Sequence, residues 1–215
     1  MTGTDTGVGK TVVSAVLMMH LRSAGPVCYW KPVQTGIEED DDTAMVASLA
    51  SCSASELLSD GVRLPRPLSP HLAARLSGTT IDLHALVETF NQVPAAAHVV
   101  VEGAGGALVP LTGRELMIDL MTRLRLPVII AARSTLGTIN HTLLTIDALK
   151  RRTLPIAGVV MVGPPNPENR AAIEQYGCVP VVGEVPVFTL LTADRLSAWT
   201  TSEFDRERVL LEQLR

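Results

Sequence analysis

Three cysteines are all that this 215-residue chain contains, and Cys28, Cys52 and Cys178 lie far apart. Their number is odd and no CxxC or Cys/His spacing accompanies them, so neither a disulfide framework nor a zinc site is indicated. Buried free thiols are expected, and a reducing compartment fits them. Aromatic residues are scarce at 3%, against 47% hydrophobic overall. The core must therefore be Val, Leu, Ile and Ala, which suits parallel strands covered by helices on both faces. Positive charge is not in excess either: a net charge of −4 argues against a general nucleic-acid or anionic-membrane surface. The longest apolar runs, such as LPVIIAA at 126–132, fall well short of the roughly 18 residues that a membrane span needs. No charged start followed by an apolar stretch resembles a signal peptide. A cytoplasmic protein that engages neither nucleic acid nor membrane is expected.

What is present is a regular alternation. VCYWKPV (27–33), HVVVE (98–102), PVIIAA (127–132), IAGVVMV (156–162) and VPVVGEVP (179–186) read as strands. Helical patterns fall between them at 11–23, 42–49, 81–91, 115–124, 138–152 and 168–176. Strand–helix alternation with short loops predicts an α/β fold, a doubly wound, mostly parallel sheet with helices on both faces. The Pro-rich stretch LPRPLSPH (64–71) reads as a rigid loop inside a single domain spanning 1–215. In such sheets ligands sit beyond the carboxyl ends of the strands. The polar residues that follow strands are Thr4–Thr11, Lys31, Glu102 and the segment TLGTINH (135–141).

The first of these segments has the character of a phosphate loop. The usual form is G-x-x-x-x-G-K-[ST]; here Gly3 stands one position further back, so the loop has an extra residue. Gly7 and Gly9 let the backbone turn its N–H groups inward, and the helix beginning near Lys10 presents its positive end. Lys10 would reach the β/γ-phosphates, and the Thr11 hydroxyl would ligate Mg²⁺. Only three of the eighteen basic residues are lysines: Lys10, Lys31 and Lys150. Where surface charge is needed this chain uses Arg, so a lysine marks a compact, flexible point charge. Lys150 stands beside two arginines at a helix end and reads as a dipole partner. Lys10 and Lys31 both fall near the loop, where two ammonium groups would stabilise charge developing in phosphoryl transfer.

The acidic run EEDDD (38–42) reads mostly as a solvated loop, since five adjacent acids cannot all face one site. Asp42, nearest the helix start, is the candidate to join Thr11 around magnesium. Glu102 ends a strand and precedes GAGG, a position suited to a hard cation bridging phosphates. The five histidines show no metal spacing, and His141 reads as structural. Neither GTTI nor RSTLG resembles a nucleophile elbow, which argues against a serine hydrolase.

TGTDTGVGKT, KPVQTG, SPH, VEGAGG, LGTINHTLLT and GEVP, in this order and spacing, resemble dethiobiotin synthetase across nearly the whole chain. The resemblance implies a P-loop homodimer that joins CO₂ to 7,8-diaminopelargonic acid with ATP and Mg²⁺, closing the ureido ring through a carbamate and its phosphoric anhydride. It implies Lys31 and Lys10 as catalytic residues, and Thr11, Asp42 and Glu102 as metal ligands. Nucleotide contacts would come from Gly7, Val8, Gly9, Lys10, Thr11, Val12, Asp42, Glu102, Gly103, Ala104, Gly105, Pro186, Val187 and Phe188. Thr35 would meet the diamine end of the substrate. Gly137, Thr138, Ile139 and Asn140 would capture its carboxylate across the dimer interface.

Two departures qualify the resemblance. Where some family members carry an Asn-Asp pair that reads adenine, this chain has Val162 and Gly163. Base recognition then falls to backbone groups around Pro186–Phe188, and GTP or CTP is expected to replace ATP to some degree. The family also carries a short apolar strand ahead of TGT, so the N-terminal strand here is expected to be truncated, with a start lying upstream. The alternatives are a partition-type ATPase switch, which typically has a second lysine inside the loop, and an amidoligase of the cobyrinate-amidating type, which usually carries a glutaminase domain. The loop segment TDTG lacks that second lysine.

Overall fold

Runs of Val, Ile and Ala form the strands, and the polar, glycine-bearing segments after them form the turns into helices. The computed structural model describes residues 1–213, so the last two residues of the expected 1–215 unit lie outside it. The strands are β1 (Thr2–Gly3), β2 (Val27–Trp30), β3 (Val33–Thr35), β4 (Leu57–Leu58), β5 (Val62–Leu64), β6 (His98–Val101), β7 (Val128–Arg133), β8 (Ile156–Val162) and β9 (Val181–Val185). The helices are α1 (Lys10–Arg22), α2 (Asp42–Leu49), α3 (Pro70–Ser77), α4 (Leu83–Asn91), α5 (Met117–Leu124), α6 (Thr138–Arg151), α7 (Pro167–Gly177), α8 (Ala193–Glu203) and α9 (Val209–Gln213).

All pairings between these strands are parallel. One ladder runs β1-β7-β8-β9, a second β4-β2-β6, and β3 pairs with β5. Side-chain alternation then sorts the core. Tyr29, Val100, Ala131 and Val160 face α1, packing against Val13, Val16 and Leu17. Trp30 points the other way, into a cluster with Leu86 of α4 and Leu120 of α5. Ile130 and Met161 point towards Ile146 and Leu149 of α6. The expected α/β architecture, with helices on both faces, is what forms.

The first strand is short and lies between the two larger ladders. β1 has two residues; it pairs with Ile130 and Ala131 of β7, and Gly3 also forms a parallel bridge with Gly106. It reaches the other ladder through single hydrogen bonds: the Met1 ammonium donates to Val101 O at 2.8 Å, and Gly103 N donates to Met1 O at 3.0 Å. Below Met1, β6 and β7 are not joined. A cavity of about 660 Å³ lies there, lined by Val99 and Val100 of β6, Ile129 of β7, Leu17 and Leu21 of α1, and Leu120 of α5.

Three local expectations are corrected. The thiols are not buried: Cys28 and Cys52 are half-buried and Cys178 is exposed. The run 27–33 is not one strand. Trp30 pairs with Val101 on one side, and after Pro32 the chain starts a separate pairing of Val33 with Val62. Proline has no N–H for a ladder, so a central strand stops there. Nor is 64–71 wholly a loop, because Leu64 ends β5 and Pro70 opens α3. Proline is well suited to the first helical turn, where its missing N–H has no intrahelical partner to lose.

Candidate active site

Three strand ends converge beside the N-terminus of α1. β1 runs into the loop 4–9, β2 delivers Lys31, and β6 delivers Glu102. The β2–β6 ladder continues past both strands, Glu102 N donating to Trp30 O at 2.9 Å, which holds Lys31 and Glu102 side by side. The loop is seated by Thr4 N, which donates to Ala131 O at 3.0 Å. Gly9 caps α1 at φ +90°, and a Cβ there would stand 2.9 Å from Val162 Cγ1. Glycine is required both by the left-handed turn and by the closeness of β8. With no side chain capping α1, its first-turn N–H groups are left for an anion. Lys10 Nζ bends back to Asp5 O at 3.1 Å. Burial, and then the charge of Lys31, lower its pKa from the usual lysine range.

Lys31 is 3% exposed and lies between two carboxylates, with Nζ 2.5 Å from Asp42 Oδ2 and 2.8 Å from Glu102 Oε1. Burial alone would lower its pKa, but the charges of Glu102 and Asp42 and their hydrogen bonds hold it above the ordinary value. Burial likewise pushes the Asp42 carboxyl up, and Lys31 and Thr11 more than reverse this, holding it low. Thr11 Oγ1 donates to Asp42 Oδ1 at 2.7 Å and lies 3.3 Å from Glu102 Oε1. Thr11, Asp42 and Glu102 thus meet at one point, as the sequence led us to expect. Among the described residues no group of three or more His, Cys, Asp or Glu side chains could hold a metal by itself. Two carboxylates and a hydroxyl suit magnesium shared with nucleotide phosphates, which supply the remaining oxygens. The donor set therefore fits. Within the acidic run, Asp41 caps α2 by accepting from Ala44 N at 3.0 Å, which leaves Asp42 free to face Lys31.

Other expected residues are more dispersed. Gly103 packs under Met1, and Ala104 is buried in the cluster around Trp30. Gly105 turns at φ +67° beside Val109, and Val8 and Val12 pack on the α1 side of the sheet. Pro186, Val187 and Phe188 follow β9; Val187 is 72% exposed, while Phe188 packs against the core. Gly163 N donates to Val185 O at 2.9 Å, and a side chain at 163 would run into Ser134 Oγ. Thr35 ends β3, which pairs with β5 in a ladder separate from the one that carries Lys31 and Glu102. Gly137 caps α6 at φ +93° with no side-chain cap, and Asn140 is exposed.

A second hollow, of about 410 Å³, opens beside the loop between Thr4–Thr6, Gly106–Val109 and α6. Within this chain α6 lines it with His141, Leu144, Thr145 and Ala148, further along the helix than 137–140. His141, read as structural from the sequence, lines this hollow. Arg133 was also missed: its guanidinium lies 2.5 Å from Asp5 Oδ2, tying the loop tip to the end of β7. The Thr6 N–H, then Arg133, hold the Asp5 carboxyl below its usual value. Ser14 and Tyr29 were missed as well; both hydroxyls reach Glu102 Oε2, at 2.7 and 3.2 Å. Leu108 and Leu144 line this hollow and are exposed, and Leu136, just ahead of α6, is exposed too.

A family model described as an AAA domain matches residues 1–195. The ATP-dependent dethiobiotin synthetase BioD of Paramagnetospirillum magneticum is 52% identical over 90% of this chain and 89% of its own length. The synthetase of the same name from Rhodopseudomonas palustris is 46% identical over 98% of this chain and 95% of its own. The biotin biosynthesis bifunctional protein BioCD of Bordetella avium is 49% identical over 93% of this chain, which spans 42% of that longer protein. Among solved structures, a ParA family ATPase from Chlorobium tepidum superimposes with a TM-score of 0.58, covering 94% of this chain and 96% of the other. At 8% identity that likeness concerns the fold alone.

Proposed function

The chain belongs to the dethiobiotin synthetase family, and from that membership we propose that it is an ATP-dependent cyclo-ligase of biotin biosynthesis. One amine of 7,8-diaminopelargonic acid adds to CO₂, losing a proton and giving a carbamate. A carbamate oxygen takes the γ-phosphoryl group as ADP leaves. The second amine then attacks the carbamoyl carbon and loses a proton, phosphate departs, and the ring closes. The observation that carries this reading is the buried Lys31 ammonium, held between Asp42 and Glu102 at the sheet edge beside the loop.

Lys31 would neutralise the carbamate and the transferring phosphoryl group, and Lys10 the phosphate tail. Gly7–Val12 and Gly103–Gly105 would wrap the nucleotide, with Pro186–Phe188 near its base. Thr11, Asp42 and Glu102 would hold Mg²⁺, which when bound offsets the negative charge of the phosphates. Thr35 would meet the amines. The start of α6, where Gly137 and Asn140 are exposed, Ile139 is half-buried and Thr138 is buried, would receive the substrate carboxylate from a second subunit. Exposed Leu108, Leu136 and Leu144 support a homodimer on that face. Among the described residues no helix is long and apolar enough to cross a membrane. We place the protein in the cytoplasm, as a single domain with no nucleic-acid partner.

The test is phosphate release from ATP with and without the diamine and bicarbonate. Release that needs both supports the ligase. Release indifferent to the diamine overturns it and favours a nucleotide switch. Since Gly163 offers no side chain to a base, GTP and CTP should compete with ATP; a preference for ATP above ~100-fold, about 2.8 kcal/mol, would count against that point.

A further inference from the structure

Glu102 is fully buried, and its two oxygens have different partners. Oε1 accepts from Lys31 Nζ and lies near Thr11 Oγ1, on the side towards the loop. Oε2 accepts from Ser14 Oγ at 2.7 Å and from Tyr29 OH at 3.2 Å. Neither Ser14 nor Tyr29 is exposed, and neither makes any other side-chain hydrogen bond among the described residues. From these contacts we propose that Ser14 and Tyr29 are positioning residues, clamping Oε2 so that Oε1 stays directed at Lys31 and the cation. The inference rests on the metal-binding reading of Glu102 given above.

The local structure explains why these two residues reach it. Thr11 and Ser14 are three apart on α1 and so share a helix face, bringing two hydroxyls to one carboxylate. Tyr29 and Lys31 are two apart along an extended strand and share a sheet face, which also carries Val100 and Glu102 of the paired strand. Trp30, between them, faces the opposite cluster. A phenol at this depth needs a partner, and burial, with Glu102 and Asp42 adding, holds its pKa well above the ordinary value. A buried carboxylate with one oxygen free could rotate; with two hydroxyls on Oε2 it presents a single edge. Outer partners of this kind, when lost, typically cost 10–100-fold in metal affinity.

The experiment measures binding of a non-hydrolysable ATP analogue by titration calorimetry across a Mg²⁺ series, for the unaltered protein, Tyr29→Phe, Ser14→Ala and each of these combined with Glu102→Gln. Melting temperature is read for every variant, and Tyr29→Phe, which removes one oxygen only, guards against misfolding. The Mg²⁺ concentration at half effect should rise about tenfold in Tyr29→Phe and in Ser14→Ala, while Mg²⁺-free binding is unchanged. In the Glu102→Gln background neither substitution should add a further loss, because both act through that carboxylate. Folded variants with unchanged Mg²⁺ dependence, or losses that add to that of Glu102→Gln, overturn the proposal. Binding by the unaltered protein that ignores Mg²⁺ would instead remove the metal reading beneath it.

Discussion

Removing the Lys31 ammonium should destabilise the protein as well as stop the chemistry. Nζ lies 2.5 Å from Asp42 Oδ2, 2.8 Å from Glu102 Oε1 and 3.4 Å from Gly103 O, at 3% exposure. Glu102 has no solvent contact, whereas the Asp42 side chain is 23% exposed and can recover some hydration. Breaking a buried pair from one side leaves an uncompensated charge, at a cost of roughly 3–5 kcal/mol. Against a total stability of about 5–15 kcal/mol, this is a large share. Lys31→Met keeps most of the side-chain volume, so its loss reports charge rather than a cavity. Urea unfolding followed by the fluorescence of Trp30 and Trp199 measures it, with and without Mg²⁺ and in the absence of nucleotide. The variant should lose about 3–5 kcal/mol without Mg²⁺ and regain part of it when Mg²⁺ is added, since the two carboxylates and Thr11 then face a cation again. The unaltered protein, whose carboxylates Lys31 already neutralises, should respond far less. A loss below about 1 kcal/mol, or a deficit untouched by Mg²⁺, would refute this account of the pair.

Other outcomes follow from the loop and its support. The Met1 ammonium is held at Val101 O, and burial, opposed by Glu102 and reinforced by Lys31, pushes its pKa down from 8.0 to about 6. Between those values the unfolded chain binds more protons, so stability should rise with pH across this window. The rise is about 2–3 kcal/mol, at 1.36 kcal/mol per pKa unit. The amine penalty is full below about pH 6, where both states are charged. N-terminal acetylation should flatten this rise in urea midpoints at pH 6 and 8.5, and equal midpoints for the unmodified chain would contradict it. A five-residue apolar extension ahead of Met1 should enter the cavity between β6 and β7. Each buried valine contributes roughly 1.5–3 kcal/mol against about 1–2 kcal/mol of backbone ordering. Its melting temperature should exceed that of an acetylated chain by several degrees, and a polar extension of equal length should not achieve this. Gly9→Ala should weaken nucleotide binding by roughly 10–100-fold through about 1–3 kcal/mol of backbone strain. Val162→Ala should not rescue it, because φ +90° remains.

Much of this was legible because it is local. The loop, its lysine and the strand-end glutamate are adjacent in sequence to the elements that aim them. Asp42 stood out in its run because only the acid at the start of α2 combines a helix end with a view of the site. The missed features depend on partners that are remote in sequence. Tyr29 looks like an ordinary core residue until β2 pairs with β6 and brings Glu102 alongside. Arg133 meets Asp5 across 128 positions. The two-residue β4 and three-residue β5 are too short to show alternation, and α3 starts inside a proline-rich stretch that reads as a turn. α8 is bounded by a Thr192 cap whose periodic face is weak in sequence, and only its packing on α1 reveals it.

The two ladders are stitched together by a few backbone groups around Met1, and the phosphate loop hangs from that same stitch. Grip on the triphosphate and cohesion of the sheet are thus one quantity seen from two ends. Nucleotide at a hundred times its dissociation constant supplies about 2.7 kcal/mol to the folded form, and anything that fastens the seam returns the favour as tighter binding.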